Sequence, residues 1–184
     1  MSKKVAIFVG NGTEPVEAVA PADALTRGNV AVDFISVMQG TEVNLAQNIK
    51  MQADMVEGRF DPSDYDMIVI PGGSVGVENL AKSGVVADAL RQFMGEGRKV
   101  SSICAGPTIL ADMGLLEGYA ATCYPGCQTN FPAGCYQDVR GVVVDRNLIT
   151  ASGPGQALEF GIAMLRSLVG DEVADSVKAG MLVS

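Results

Sequence analysis

The chain has 184 residues, with 13 Lys and Arg against 21 Asp and Glu, and no His, giving a formal charge of −8. Hydrophobic residues at 48% and charged residues at 18% exclude a disordered chain, and the negative balance argues against nucleic acid as a partner, because neutralising phosphates takes clustered Lys and Arg. Without histidine, no step can use an imidazole supplied by this chain.

The first apolar run, Val5–Val9, has strand length and is too short to cross a membrane. Gly10-Asn11-Gly12-Thr13 then leads into a helix predicted over Pro15–Arg27, with Pro15 suited to a first helical position and Pro21 expected to kink it. A second strand is read at Val30–Val37 and a third at Met67–Ile70, which runs into Pro71-Gly72-Gly73. Glu78–Glu96 reads as two helical pieces broken near Ser83-Gly84. Strand Val100–Ile103, helix Pro107–Met113 and strand Ala120–Cys123 follow. Val142–Val144 and Leu148–Ala151 flank Asp145-Arg146-Asn147 as a β-hairpin, and helices over Gly155–Val169 and Asp171–Ala179 complete the set.

Near-continuous apolar strands suit a parallel sheet covered on both faces. Their alternation with helices predicts right-handed βαβ units, hence an α/β fold with an open, doubly wound, mostly parallel sheet, as one domain over 1–184. In such sheets ligands sit beyond the carboxyl ends of the strands. Three segments should meet there: Gly10–Glu17, Pro71–Gly76 and Cys104–Pro107.

Ser102-Ile103-Cys104-Ala105-Gly106-Pro107 is a nucleophile-elbow pattern with sulfur in place of oxygen. Small residues on either side let a strand turn sharply into a helix, presenting the thiol above the sheet near a helix start, where a thiolate is favoured. Such an elbow is expected to hold Cys104 in strained backbone geometry. Gly72 and Gly73 at a strand end allow backbone amides to face the site. Glu17 lies in the first turn of its helix, where a carboxylate is welcome for structural reasons alone. The other cysteines, Cys123, Cys127 and Cys135, fit no standard zinc spacing, so no metal is expected, although a thiol near Cys104 would suit a resolving partner. With no export signal read in the sequence, reduced thiols and a cytoplasmic location are expected.

Gly12-Thr13-Glu14-Pro15-Val16-Glu17, Pro71 to Leu80, Ile103-Cys104-Ala105-Gly106-Pro107 and Ser152-Gly153-Pro154-Gly155 with Glu159-Phe160 together resemble the ThiJ/PfpI family. That family belongs to the class I glutamine amidotransferase-like superfamily, and the resemblance, close to its parkinsonism-associated deglycase branch, runs from Lys3 to Lys178. It implies a flavodoxin-like sandwich, a homodimer and no cofactor. It implies Cys104 as nucleophile, Glu17 as the acid hydrogen-bonded to it, the amides of Gly73 and Ala105 as an oxyanion pocket, and Gly72 and Tyr124 as pocket residues. The implied activities are glyoxalase or deglycase chemistry on reactive carbonyls or glycated adducts, or a non-catalytic role in which Cys104 oxidises to a sulfinate as an oxidative-stress sensor or chaperone-like dimer. Where the family carries a histidine this chain has Tyr124, a phenol with an ordinary pKa near 10 that is no base at neutral pH. Gln47 or Asn48 stands in place of a family arginine. Like charges on Cys104 and Glu17 would repel, so the pair is expected to share a proton, as a thiolate of depressed pKa beside a protonated Glu17.

Overall fold

The computed structural model describes residues 3–183. Strands β1 (Lys4–Val9), β2 (Ala31–Ser36), β5 (Met55–Val56), β6 (Met67–Ile70), β7 (Lys99–Ile103), β8 (Val142–Asp145) and β9 (Leu148–Ala151) form one sheet in the order β5-β2-β1-β6-β7-β9-β8. Every pair is parallel except β8–β9, which closes as the predicted hairpin. A small antiparallel hairpin, β3 (Glu42–Asn44) and β4 (Lys50–Gln52), stands apart from the sheet and is absent from the sequence reading. The mostly parallel sheet between helical layers is the predicted flavodoxin-like architecture.

The residues of β1 show how the layers form. Val5, Ile7 and Val9 enter one core with α1 (Pro15–Arg27), α5 (Ala157–Val169) and α6 (Asp171–Gly180), while Ala6 and Phe8 enter the other. That second core takes its helical residues from α2 (Ser74–Ala81), α3 (Gly84–Gly95) and α4 (Pro107–Asp112). A strand alternates its side chains between faces, so an unbroken apolar run feeds two cores at once. Helix α1 continues without interruption through Pro21, which packs on α5. A Cβ on Gly161 there would come within 2.8 Å of Pro21 Cα, so this contact needs glycine. Ser83 caps α3 by accepting from the Val86 amide at 3.0 Å, which explains the break between the two helical pieces.

One expected strand is not formed. Within Ala120–Cys123 only Ala121 makes a β-bridge, to Tyr136. The Ala120 amide donates instead to Asp145 Oδ2 at 2.8 Å and the Thr122 amide to Thr150 Oγ1 at 2.9 Å, while β9 occupies the place beside β7. Side chains have claimed the donors that a ladder would use. No helix among the described residues is long and apolar enough to cross a membrane.

Candidate active site

The carboxyl ends of β1, β6 and β7 bring together the three loops expected there. Glu14 donates its amide to the Gly72 carbonyl at 3.0 Å, tying the first loop to the second, and Cys104 donates its amide to Ala151 O at 2.9 Å. Cys104 sits at φ 63, a left-handed conformation that costs a non-glycine residue about 1–3 kcal/mol. The frame around it tolerates no bulk. A Cβ on Gly106 would lie 2.5 Å from Ile70 O, the carbonyl that also accepts from Ser102 Oγ at 3.0 Å. The expected strained elbow is present.

Glu17 is fully buried on α1 and points at this elbow. Its Oε2 accepts from the Gly72 amide at 2.8 Å, while Oε1 has no hydrogen-bond partner. Gly72 explains the close approach. A Cβ there would meet Glu17 Oε2 at 2.5 Å and Cys104 Cβ at 2.7 Å, so any side chain would wedge the carboxyl from the thiol. Gly73 follows at φ 91 and turns the chain over the first loop.

A cavity of about 580 Å³ opens above the pair, and its walls include Glu14, Gly73, Ala105, Tyr124, Cys127 and Pro154 as well as Cys104 and Glu17. Gly72 lies behind this wall, buried. Gln47 and Asn48, at φ 60 and 59 in a turn after β3, are not among the lining residues. Glu14, Cys127 and Pro154 are wall residues to which sequence reasoning gave no pocket role, although Cys127 is one of the three thiols considered as a resolving partner. Pro154 was visible within Ser152-Gly153-Pro154-Gly155. Cys127 arrives through a Tyr124–Cys127 turn, closed by Cys127 N–H donating to Tyr124 O at 2.9 Å, which no periodicity announces.

Burial raises the Glu17 carboxyl to about 7, against hydrogen bonds from Cys104 and the Gly72 amide that favour its charge. For Cys104 the outcome reverses the expectation. Burial, then the adjoining Glu17 charge, push its thiol up to about 12, and the amides of Ala105 and Gly73 only partly oppose them. The helix that was to favour a thiolate is six residues long and begins at a proline, which has no N–H to offer. No Lys or Arg lines the cavity among the described residues. The pair therefore holds at least one proton through neutrality.

Fold and site define a doubly wound α/β protein whose elbow cysteine is paired with a buried carboxyl. Residues 3–167 match the model of the DJ-1/PfpI family, and the chain belongs to that family. It is 32% identical to Protein dj-1beta of Drosophila melanogaster, over 100% of this chain and 99% of that one. It is 28% identical to the glutathione-independent glyoxalase DJ-1 of Schizosaccharomyces pombe, over 95% of each. The solved structure of oxidized Toxoplasma gondii DJ-1 superposes with a TM-score of 0.94 at 31% identity, covering 98% of both chains.

Proposed function

We propose that this protein converts small reactive α-oxoaldehydes to hydroxy acids, with Cys104 as nucleophile and Glu17 as the proton shuttle. The observation that carries the reading is the buried Glu17 carboxyl, unpartnered at Oε1, beside a strained cysteine in an open cavity. The glyoxalase named among the relatives supports it.

Burial answers the missing histidine. A carboxyl near 7 has about the pKa of an ordinary imidazole, so it is close to half protonated at neutral pH and both accepts and donates. Cys104 Sγ–H adds across the aldehyde, forming the S–C1 bond, and its proton passes through Glu17 to the carbonyl oxygen. The resulting hemithioacetal is held by the amides of Gly73 and Ala105. Glu17 then takes the C1 proton, the electron pair moves into C1–C2, and the C2 oxygen gains a proton. The C1 hydroxyl then gives up its proton as C2 takes one, leaving a thioester, which water cleaves to the hydroxy acid and free thiol. Atoms and electrons balance without an external oxidant or reductant. The test is to supply methylglyoxal alone and follow lactate by proton NMR; its absence would sink the proposal.

A second reading makes Cys104 a sensor oxidised to sulfinate, with Glu17 Oε1–H donating to a sulfinate oxygen. The similarity to oxidized Toxoplasma gondii DJ-1 favours it. The raised thiol of Cys104 bears on both readings alike, because the thiolate is what attacks aldehyde and peroxide, and each relies on Glu17 to take the proton.

We also infer a homodimer through α1. Val16, Val19, Ile49 and Leu158 are 39–46% exposed and line one shallow apolar depression, an unusual use of surface on a chain of charge −8. Val16 and Val19 lie on the helix that carries Glu17, so a dimer formed there would bring the interface close to the site. Sedimentation at micromolar protein should give twice the chain mass, and Val19→Asp should give the monomer.

A further inference from the structure

Beyond Tyr124 the active-site cavity has a neighbour. A second cavity of about 550 Å³ shares Tyr124, Pro125 and Pro154 with the first and adds Arg140, Ser152 and Gln156. The two adjoin at these shared residues. Glu14, Glu17 and Cys104 line the first, and the exposed Arg140 lines the second.

Arg140 is set apart by what it lacks. Arg27, Arg91, Arg98, Arg146 and Arg166 each pair with a carboxylate, yet Arg140 has no ion pair among the described residues, in a chain with 21 Asp and Glu. Arg59 is likewise without a carboxylate, but it lines neither of these cavities. The surroundings of Arg140 are built rather than loose. Gly141, its neighbour, donates its amide to Ser152 Oγ at 3.1 Å and accepts from the Ser152 amide at 3.1 Å. Ser152 Oγ in turn donates to Gln156 Oε1 at 3.0 Å, which engages the amide oxygen of Gln156 and leaves its NH₂ without a protein acceptor among the described residues. A guanidinium and an amide NH₂ on one wall are donors suited to a carboxylate.

The geometry points to a substrate that is long and charged at one end: an oxoaldehyde whose carbonyl meets Cys104 and whose carboxylate tail is held by Arg140 with Gln156. This rests on the aldehyde reading of Cys104 and adds a specificity-determining residue to it. It also explains how an anionic substrate enters a pocket walled by Glu14 and Glu17, since its charge is carried away from them.

Two measurements separate this inference from the reading beneath it. The first compares kcat/KM for 4,5-dioxopentanoate, which has such a tail, with that for methylglyoxal, which has none. Arg140→Ala should lower the ratio about tenfold or more, the scale of a lost charge-assisted hydrogen bond, and Arg140→Lys should restore part of it. A ratio unchanged within about twofold overturns the assignment. The second needs no turnover: levulinate, an unreactive keto acid, should slow alkylation of Cys104 by iodoacetamide, read by the mass of its peptide, and Arg140→Ala should abolish that protection. Protection that follows Arg140 while neither aldehyde is consumed leaves the anion site standing and removes the enzymatic reading. Protection equal in both proteins, or absent from both, removes the site.

Discussion

Cys104 and Cys123 are thiols of one chain, and burial pushes both up to about 12. Around Cys123 the further contributions come from Cys127 and Cys135, and its Sγ–H donates to Tyr124 O at 3.5 Å. Around Cys104 the further contribution comes from a carboxyl that itself sits near 7, in a strained turn facing a cavity. The difference lies in the surroundings: burial leaves Cys123 among other thiols, whereas Cys104 has beside it a carboxyl able to exchange a proton and open space before its sulfur.

The comparison is sharpest when each cysteine is removed. Cys104→Ser should abolish turnover of methylglyoxal, whereas Cys123→Ser should keep it and lose about 1–2 kcal/mol of stability through a buried hydroxyl. Assay and urea unfolding of the two variants side by side decide the point. Glu17→Gln keeps a hydrogen-bond donor but no shuttle, so kcat should fall about a hundredfold or more. If that variant turns over normally, the carboxyl is structural. Gly72→Ala places a methyl where Glu17 Oε2 and Cys104 Cβ now lie at 2.5 and 2.7 Å. It should cost about 1–3 kcal/mol and depress kcat more than KM rises.

A further effect is on the pH dependence of stability. Glu17 is raised in the folded state, from 4.5 to about 7, so the fold prefers its neutral form. Its contribution is fully present below pH 4.5 and is lost as pH rises to about 7, a change of about 3 kcal/mol. Cys104 stays protonated in both states across that window and adds nothing to it. Unfolding of wild type and Glu17→Gln from pH 4 to 8 should show the decline only in the former.

Much of this was legible in advance. The apolar runs at Val5–Val9 and Met67–Ile70 are strands because two helical layers demand apolar residues on both faces, and Cys104-Ala105-Gly106-Pro107 admits little but a tight turn. The family resemblance likewise placed Glu17 beside Cys104. The Ala120–Cys123 run misled because its amides go to Asp145 and Thr150, residues distant in sequence. The hairpin of β3 and β4 is too short to show a period. The direction of the Cys104 shift was missed because an elbow pattern states where a thiol is, and says nothing of how much water and how few cations surround it.

Tyr124 N–H donates to the carbonyl of Cys104 at 2.8 Å, and the same loop walls the cavity. One wall of the pocket is thus tied to the residue it faces. A ligand broad enough to press Tyr124 and Pro125 outward must also tug on the peptide that holds Cys104 at φ 63. The cavity wall and the strained peptide of Cys104 are joined by a single backbone hydrogen bond, and a change in the one is felt by the other.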